Sequence, residues 1–244
     1  MSILNKLLGR TRKSSGKNPS LIRKVSKFVA CELIEGDYYE FGTYQGNSFI
    51  NAFHAFKKAF LSRSNHDIQS FGDHEQADRR MALWNQMRFF AFDSFEGLPE
   101  LKGIDQDTRD FKESQYACSV ADFKNNLKSA KVEIGKTVII PGWFNETCND
   151  ENKTRHNMGK AAAIWIDGDL YESAICALEF MTPLIQDGTV IIFDDWYAFR
   201  GNPNRGEQKA FSEWLEMNPK FEAVEYQKDG TWQNSFIISM SSKL

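Results

Sequence analysis

Two apolar runs, each ending in aspartate, constrain this chain more than any other feature. Ala161–Ile166 leads into Asp167-Gly168-Asp169, and the run 189–193 leads into Asp194-Asp195. Between them, 172–182 places Ala174, Leu178 and Met181 at helical spacing and stops at Pro183. Strand, amphipathic helix and strand make a β-α-β unit, whose two strands run parallel and end at one edge of a sheet. Ligands of open α/β sheets bind outside those carboxyl ends. Asp167, Asp194 and Asp195 are therefore expected to converge there. Three carboxylates at one point repel one another, and a hard divalent cation with oxygen ligands relieves that repulsion. Aspartate also caps helices and shapes turns. For Asp169, just ahead of the helix, capping is the expected role, with support of the metal ligands as the alternative.

The rest of the chain fits the same architecture. A helix is expected over 21–33, a strand over Asp37–Phe41, and a helix over Asn47–Leu61 that turns Phe49, Phe53, Phe56 and Phe60 to the core. Strands follow at 88–92 and 137–140, with a helix near 119–130 between them. A helix over 207–217 and two β-runs, 221–226 and 234–240, close the chain. Strands alternate with helices and then two strands come in succession. That order predicts a doubly wound, mostly parallel sheet with a C-terminal antiparallel hairpin. The segments 62–85 and 149–158 read as polar insertions, and 94–116 is long enough to be a lid.

Length and composition narrow the function. The chain has 244 residues, 41% of them hydrophobic, which suits one globular domain over 21–244. A net charge of −3 gives no general drive toward nucleic acid. Positive charge gathers between Lys6 and Lys27, and residues 1–20 read as a flexible basic tail. Cys31, Cys118, Cys148 and Cys176 lack metal or redox spacing, and Cys31 and Cys176, in apolar contexts, are expected to be free buried thiols of a reducing compartment. With no run long enough to span a membrane and no signal-like start, a cytoplasmic protein is expected. Self-association into a homo-oligomer is left open.

The first strand ends in Glu40-Phe41-Gly42-Thr43-Tyr44-Gln45-Gly46. A glycine there permits a sharp turn and close approach of a ligand to the backbone. The Gly-x-x-x-Gly spacing lacks the middle glycine of the dinucleotide fingerprint, which argues against NAD or FAD. Asp93 closes the second strand, where a carboxylate can accept hydrogen bonds from ribose hydroxyls. Glu40 and Asp93 together suit a nucleoside that carries a positive amino group. Trp143, Trp196 and Tyr197 follow strand ends, and Trp196 is the best placed to wall an acceptor.

Five blocks now fall in order: Glu40-Phe41-Gly42 through Gly46, Phe92-Asp93-Ser94-Phe95-Glu96-Gly97-Leu98-Pro99, Gly142-Trp143-Phe144-Asn145-Glu146-Thr147, Ile166-Asp167-Gly168-Asp169-Leu170-Tyr171-Glu172-Ser173, and Ile192-Phe193-Asp194-Asp195. The chain resembles the macrocin O-methyltransferase family, metal-dependent S-adenosylmethionine enzymes that methylate sugar hydroxyls of macrolide and aminocoumarin antibiotics. The resemblance implies a class I methyltransferase (Rossmann-like) fold. It implies that the turn from Glu40 to Ser48, including Gly42, Thr43, Tyr44 and Gly46, holds the methionine moiety. It puts Asp93 on the ribose, Ser94 and Gly142-Trp143 beside the adenosine, and Asp167, Asp194 and Asp195 on Mg2+. Cys148 stands where family members often continue with Leu-Pro, and neither insertion finds a counterpart. No histidine follows His156, so the expected general base is a carboxylate, Asp167. The implied acceptor is a sugar hydroxyl or another small glycosylated molecule. A phenolic acceptor, a nucleotide-dependent oxidoreductase and a non-catalytic nucleoside-binding module are the alternatives.

Overall fold

The computed structural model describes residues 20–62, 74–101, 103–106 and 111–241. The basic segment 1–19 lies outside them, as do 63–73 of the expected insertion and 102 and 107–110 of the expected lid. Seven strands form one sheet: β1 (Asp37–Phe41), β2 (Phe89–Asp93), β3 (Thr137–Pro141), β4 (Ala161–Ile166), β5 (Val190–Phe193), β6 (Phe221–Asp229) and β7 (Gln233–Met240). Their order is β3-β2-β1-β4-β5-β7-β6, and the first five are parallel. β7 runs antiparallel to both of its neighbours. The expected doubly wound sheet with its terminal hairpin is thus present.

Every residue of β1, β2, β4 and β5 is buried, because helices cover both faces of the sheet. On one face α1 (Leu21–Cys31), α2 (Asn47–Leu61), α3 (His74–Gln86) and α4 (Val120–Ser129) pack against Tyr38, Phe89, Ala163 and Ile192. On the other, α7 (Tyr171–Met181) and α8 (Gly206–Met217) pack against Phe41, Phe92, Ile166 and Phe193. Between β3 and β4 lie two short helices, α5 (Phe144–Thr147) and α6 (Asp150–Arg155).

Two expectations change. Residues 74–86 form α3 rather than an irregular insertion, with Trp84 buried against Phe53 and Phe89 at ring separations of 5.5 and 6.0 Å. Its apolar stripe is thin, and its exposed C-terminal carbonyls are satisfied from elsewhere. Lys136 Nζ donates to Trp84 O at 2.6 Å, Asn85 O at 3.0 Å and Met87 O at 3.1 Å. The charged stretch 149–158 likewise contains α6, started by Asn149, whose side chain accepts from Asn152 N at 2.9 Å.

Phe89 lies at the middle of the first core face, its ring 5.1–6.2 Å from those of Tyr38, Phe49, Phe53, Phe56 and Trp84. Phe89→Ala should cost about 3–5 kcal/mol, the usual loss for a fully buried phenylalanine. Urea unfolding followed by circular dichroism measures it, and a loss under about 1 kcal/mol would show that the cluster refills the cavity.

Candidate active site

A ladder of backbone hydrogen bonds continues past the strand ends. Gly142 N donates to Asp93 O at 2.9 Å, Gly42 N to Phe92 O at 2.9 Å, Asp167 N to Phe41 O at 2.8 Å and Asp194 N to Ile166 O at 3.0 Å. The first residue after each strand is thereby tied to its neighbour, and the loops leave the sheet from one straight edge. Gly42 is held at φ +87°, and a Cβ there would stand 1.8 Å from the carbonyl oxygen of Asp167. No other residue fits between the first turn and the Asp167 loop.

At this edge lies a cavity of about 800 Å³. Of the sequence-predicted residues it brings together Gly42, Tyr44, Asp93, Ser94, Trp143, Asp167, Asp194 and Asp195. Glu40, Thr43, Gly46, Ser48 and Gly142 do not line it; they stand behind the wall. Glu40 is fully buried and accepts from Ser48 Oγ at 2.7 Å and from Tyr38 OH. Burial pushes its carboxyl up to about 8, against the opposing pull of those two hydrogen bonds. Asp93 fastens the first turn: Oδ2 accepts from Thr43 N at 2.7 Å and Tyr44 N at 2.8 Å, and Oδ1 from Phe95 N at 2.7 Å.

Asp167, Asp194 and Asp195 each offer an oxygen, and these lie within 4.8 Å of one another. Burial first, then the neighbouring Asp194, Asp169 and Asp195 charges, pushes the Asp167 carboxyl well up. Burial raises Asp194 as well, partly offset by Gln233, whose Nε2 donates to Asp194 Oδ1 at 2.6 Å. Convergent hard oxygens of this kind suit Mg2+ or a similar cation and no soft metal.

Asp169 does not cap α7. Its carboxyl is buried and interacts with that of Asp195, which raises its protonation range further. The cap comes from Asp105 in the expected lid, whose Oδ1 accepts from Tyr171 N at 3.2 Å. Trp196 is no acceptor wall either. Its half-buried ring packs against the core, 4.7 Å from Phe236, 5.0 Å from Phe193 and 5.7 Å from Phe211, and does not line the cavity. Trp232, in the β6–β7 turn, lines the cavity instead. The signal for it was present: an antiparallel β7 beside β5 brings the hairpin turn to the carboxyl edge, where Asn234 pairs with Phe193.

Tyr116, Asp105 and Glu207 carried no local signal. Tyr116 lines the cavity and meets Tyr44 edge-on at 5.6 Å. Glu207, at the start of α8, is buried behind the acidic group. Its Oε2 accepts from Asp195 N at 3.0 Å, and among the described residues its Oε1 has no partner. Leu98 and Phe111, in the segment expected to be a lid, pack on Leu170 and Ala198, and Arg205 donates to the Ile104 carbonyl.

The Glu40 environment gives a pH test. Between its ordinary value of 4.5 and about 8 the unfolded chain is ionised while the folded protein keeps the proton, so folding takes up a proton. This group's contribution to stability therefore falls as pH rises through that window. Glu40→Gln lacks the effect, so its melting temperature should rise relative to the parent protein between pH 5 and pH 8.5. A difference that stays constant with pH in differential scanning calorimetry would place the proton elsewhere.

Comparison with known proteins gives the family. The 8-demethyl-8-(2,3-dimethoxy-alpha-L-rhamnosyl)-tetracenomycin-C 4'-O-methyltransferase of Streptomyces olivaceus is 28% identical over 173 residues, 69% of this chain and 56% of that protein. The demethyldecarbamoylnovobiocin O-methyltransferase of Streptomyces niveus is 29% identical over 181 residues, 72% of this chain and 58% of that protein. The chain thus spans under two thirds of the length of either relative. A calicheamicin methyltransferase structure superposes with a TM-score of 0.65 at 19% identity, covering 88% of this chain and 76% of the other, a likeness of fold. The family model described as Macrocin-O-methyltransferase (TylF) matches residues 17–224. The chain belongs to the macrocin O-methyltransferase family.

Proposed function

We propose that this protein transfers the methyl group of S-adenosylmethionine to a hydroxyl of a sugar or glycosylated acceptor, assisted by a divalent cation. The observation that carries the reading is the placement of Asp167, Asp194 and Asp195 in the cavity that also opens onto Gly42, Tyr44, Asp93 and Trp143. A donor site and a metal site of this kind share one space, as transfer requires. The relatives' rhamnosyl and novobiocin substrates favour a glycosyl hydroxyl over a plain phenol. Membership of the family removes the oxidoreductase alternative. No helix among the described residues is long and apolar enough to cross a membrane. The four cysteines are free, with Cys31 exposed and Cys176 half-buried rather than buried as expected, and free thiols suit a reducing, cytoplasmic setting.

The residues divide the work. Gly42, whose missing side chain makes room for the Asp167 carbonyl, presents its backbone to the donor, while Tyr44, Ser94 and Trp143 border it. Asp93 holds the turn and presents its remaining acceptor capacity toward a ribose. Glu40 sets the turn from behind through Ser48. Asp167, Asp194 and Asp195 would hold the cation, whose charge would stabilise developing negative charge on the acceptor oxygen. Asp167 also receives the hydroxyl proton. Asp169 and Glu207 crowd the group with further carboxyls, and Gln233 orients Asp194.

Labelled methyl transfer to a panel of sugar and phenolic glycosides, with Mg2+ or with chelator, tests the reading. Asp194→Ala and Asp195→Ala should each lower transfer at least about a hundredfold. Calorimetric binding of S-adenosylhomocysteine should remain near that of the parent protein. Full activity in chelator would remove the metal from the reaction. Asp167→Asn separates ligand from base: saturating Mg2+ should restore acceptor binding and leave kcat low. Recovery of kcat at high Mg2+ would assign the proton to another group.

A further inference from the structure

One wall of the cavity is built from two helices that meet through sulfur. α7 turns Ser173, Cys176 and Glu179 toward the cavity, one helical turn apart, and the short α5 contributes Phe144 and Asn145. Gly168 sets how these helices stand. A Cβ there would lie 2.7 Å from Ser173 Cβ and 3.5 Å from Phe144 Cε2, so both side chains close over the same point. One turn further along each helix come Cys176 and Cys148, the latter fixed by its amide, which donates to Phe144 O at 2.8 Å. There the thiols meet, and Cys148 donates to the Cys176 sulfur.

The two sulfurs are not equivalent. The hydrogen bond from Cys148 holds the Cys176 thiol below its usual range, against the opposing effects of burial, Glu179 and Glu172. The same bond, and then burial, pushes the Cys148 thiol up. Cys176 lines the cavity, whereas Cys148 packs against the second core face. A small oxidant in the cavity therefore reaches the readier thiolate first, with a second thiol in contact behind it. Cys31 and Cys118 belong to the other face of the sheet. Cys31 ends α1, and Cys118 packs against the first core face.

We propose that Cys148 and Cys176 are an oxidisable dithiol, in which Cys176 reacts with a peroxide and Cys148 resolves it to a disulfide that locks α5 to α7. In the first step the Cys176 sulfur attacks a peroxide oxygen and the O–O bond breaks. The leaving hydroxide takes a proton to become water, and the sulfur is left as a sulfenic acid. The Cys148 sulfur then attacks that sulfur, and the S–O bond breaks. The departing hydroxide takes the Cys148 proton as a second water. Two thiols lose two electrons, and the peroxide gains them. Closing this bond fixes Phe144 and Asn145 against the cavity face of α7, and a thiol reductant releases them.

The test is exposure of the full chain to excess hydrogen peroxide, followed by thiol counting, peptide mapping by mass spectrometry without reductant, and thermal melting. Two of the four thiols should disappear, with Cys148 and Cys176 in one linked peptide pair. The melting temperature should rise by about 5–10 °C, because the bond shortens the free chain of the unfolded state. Dithiothreitol should reverse all three changes. Cys148→Ser should stop at the sulfenic acid, trapped on Cys176 by dimedone, and Cys176→Ser should leave Cys148 unlabelled. Retention of all four thiols by the parent protein would overturn the proposal, as would a first linkage through Cys31 or Cys118. A dimedone adduct on Cys148 would overturn the assignment of the reacting sulfur, and a linked protein that melts no higher would overturn the lock.

Discussion

The hydrogen bonds that run one residue past the strand ends hold the site together. Gly142, Gly42, Asp167 and Asp194 each donate their amide to the last or next-to-last carbonyl of a neighbouring strand. Parallel strands buried on both faces are rigid, and this continuation extends their register into the first residue of each loop. The Asp167 and Asp194 side chains therefore leave the sheet from fixed points. Gly42 shows how tight the arrangement is. Its missing side chain is replaced by the Asp167 carbonyl, so the first turn and the acidic loop cannot shift independently.

Against this rigid edge the protein sets a concentration of negative charge that folding alone does not favour. Asp167, Asp169 and Glu207 are all driven toward the protonated form, chiefly by burial and then by one another. Keeping such groups close is costly without a cation, and the core bears that cost. The opposing stabilisation comes from two aromatic-rich faces. Phe89 gathers five rings on one side, and Phe211, Trp214 and Phe236 pack with Phe193 and Trp196 on the other. Trp196 belongs to this second face, which is why a tryptophan directly after two metal-type aspartates never reaches the cavity.

Most of the sheet was legible because its signals are local. A buried parallel strand is a short unbroken apolar run, and Ala161–Ile166 and Asp37–Phe41 are found where periodicity puts them. The acidic triad was legible for the same reason, since strand ends fix their neighbours. α3 was not, because only Trp84 and a few other apolar residues mark its buried side and its C-terminal carbonyls are satisfied by Lys136 from a distant turn. Asp169 misled because a residue ahead of a helix has a local capping role by default. Here that role went to Asp105, 66 positions before the Tyr171 amide it accepts from.

Asp93, Asp105 and Glu207 share one device. Each carboxylate comes from a different segment and accepts from backbone amides of another: the first turn, the start of α7, and Asp195. A loop at the edge of a sheet has amides with no ladder partner, and burying them unpaired would cost more than burying an acid that satisfies them. Such pairing between segments leaves no trace in spacing or periodicity, so it is invisible until the chain is folded. It also makes part of the cavity's acidity structural.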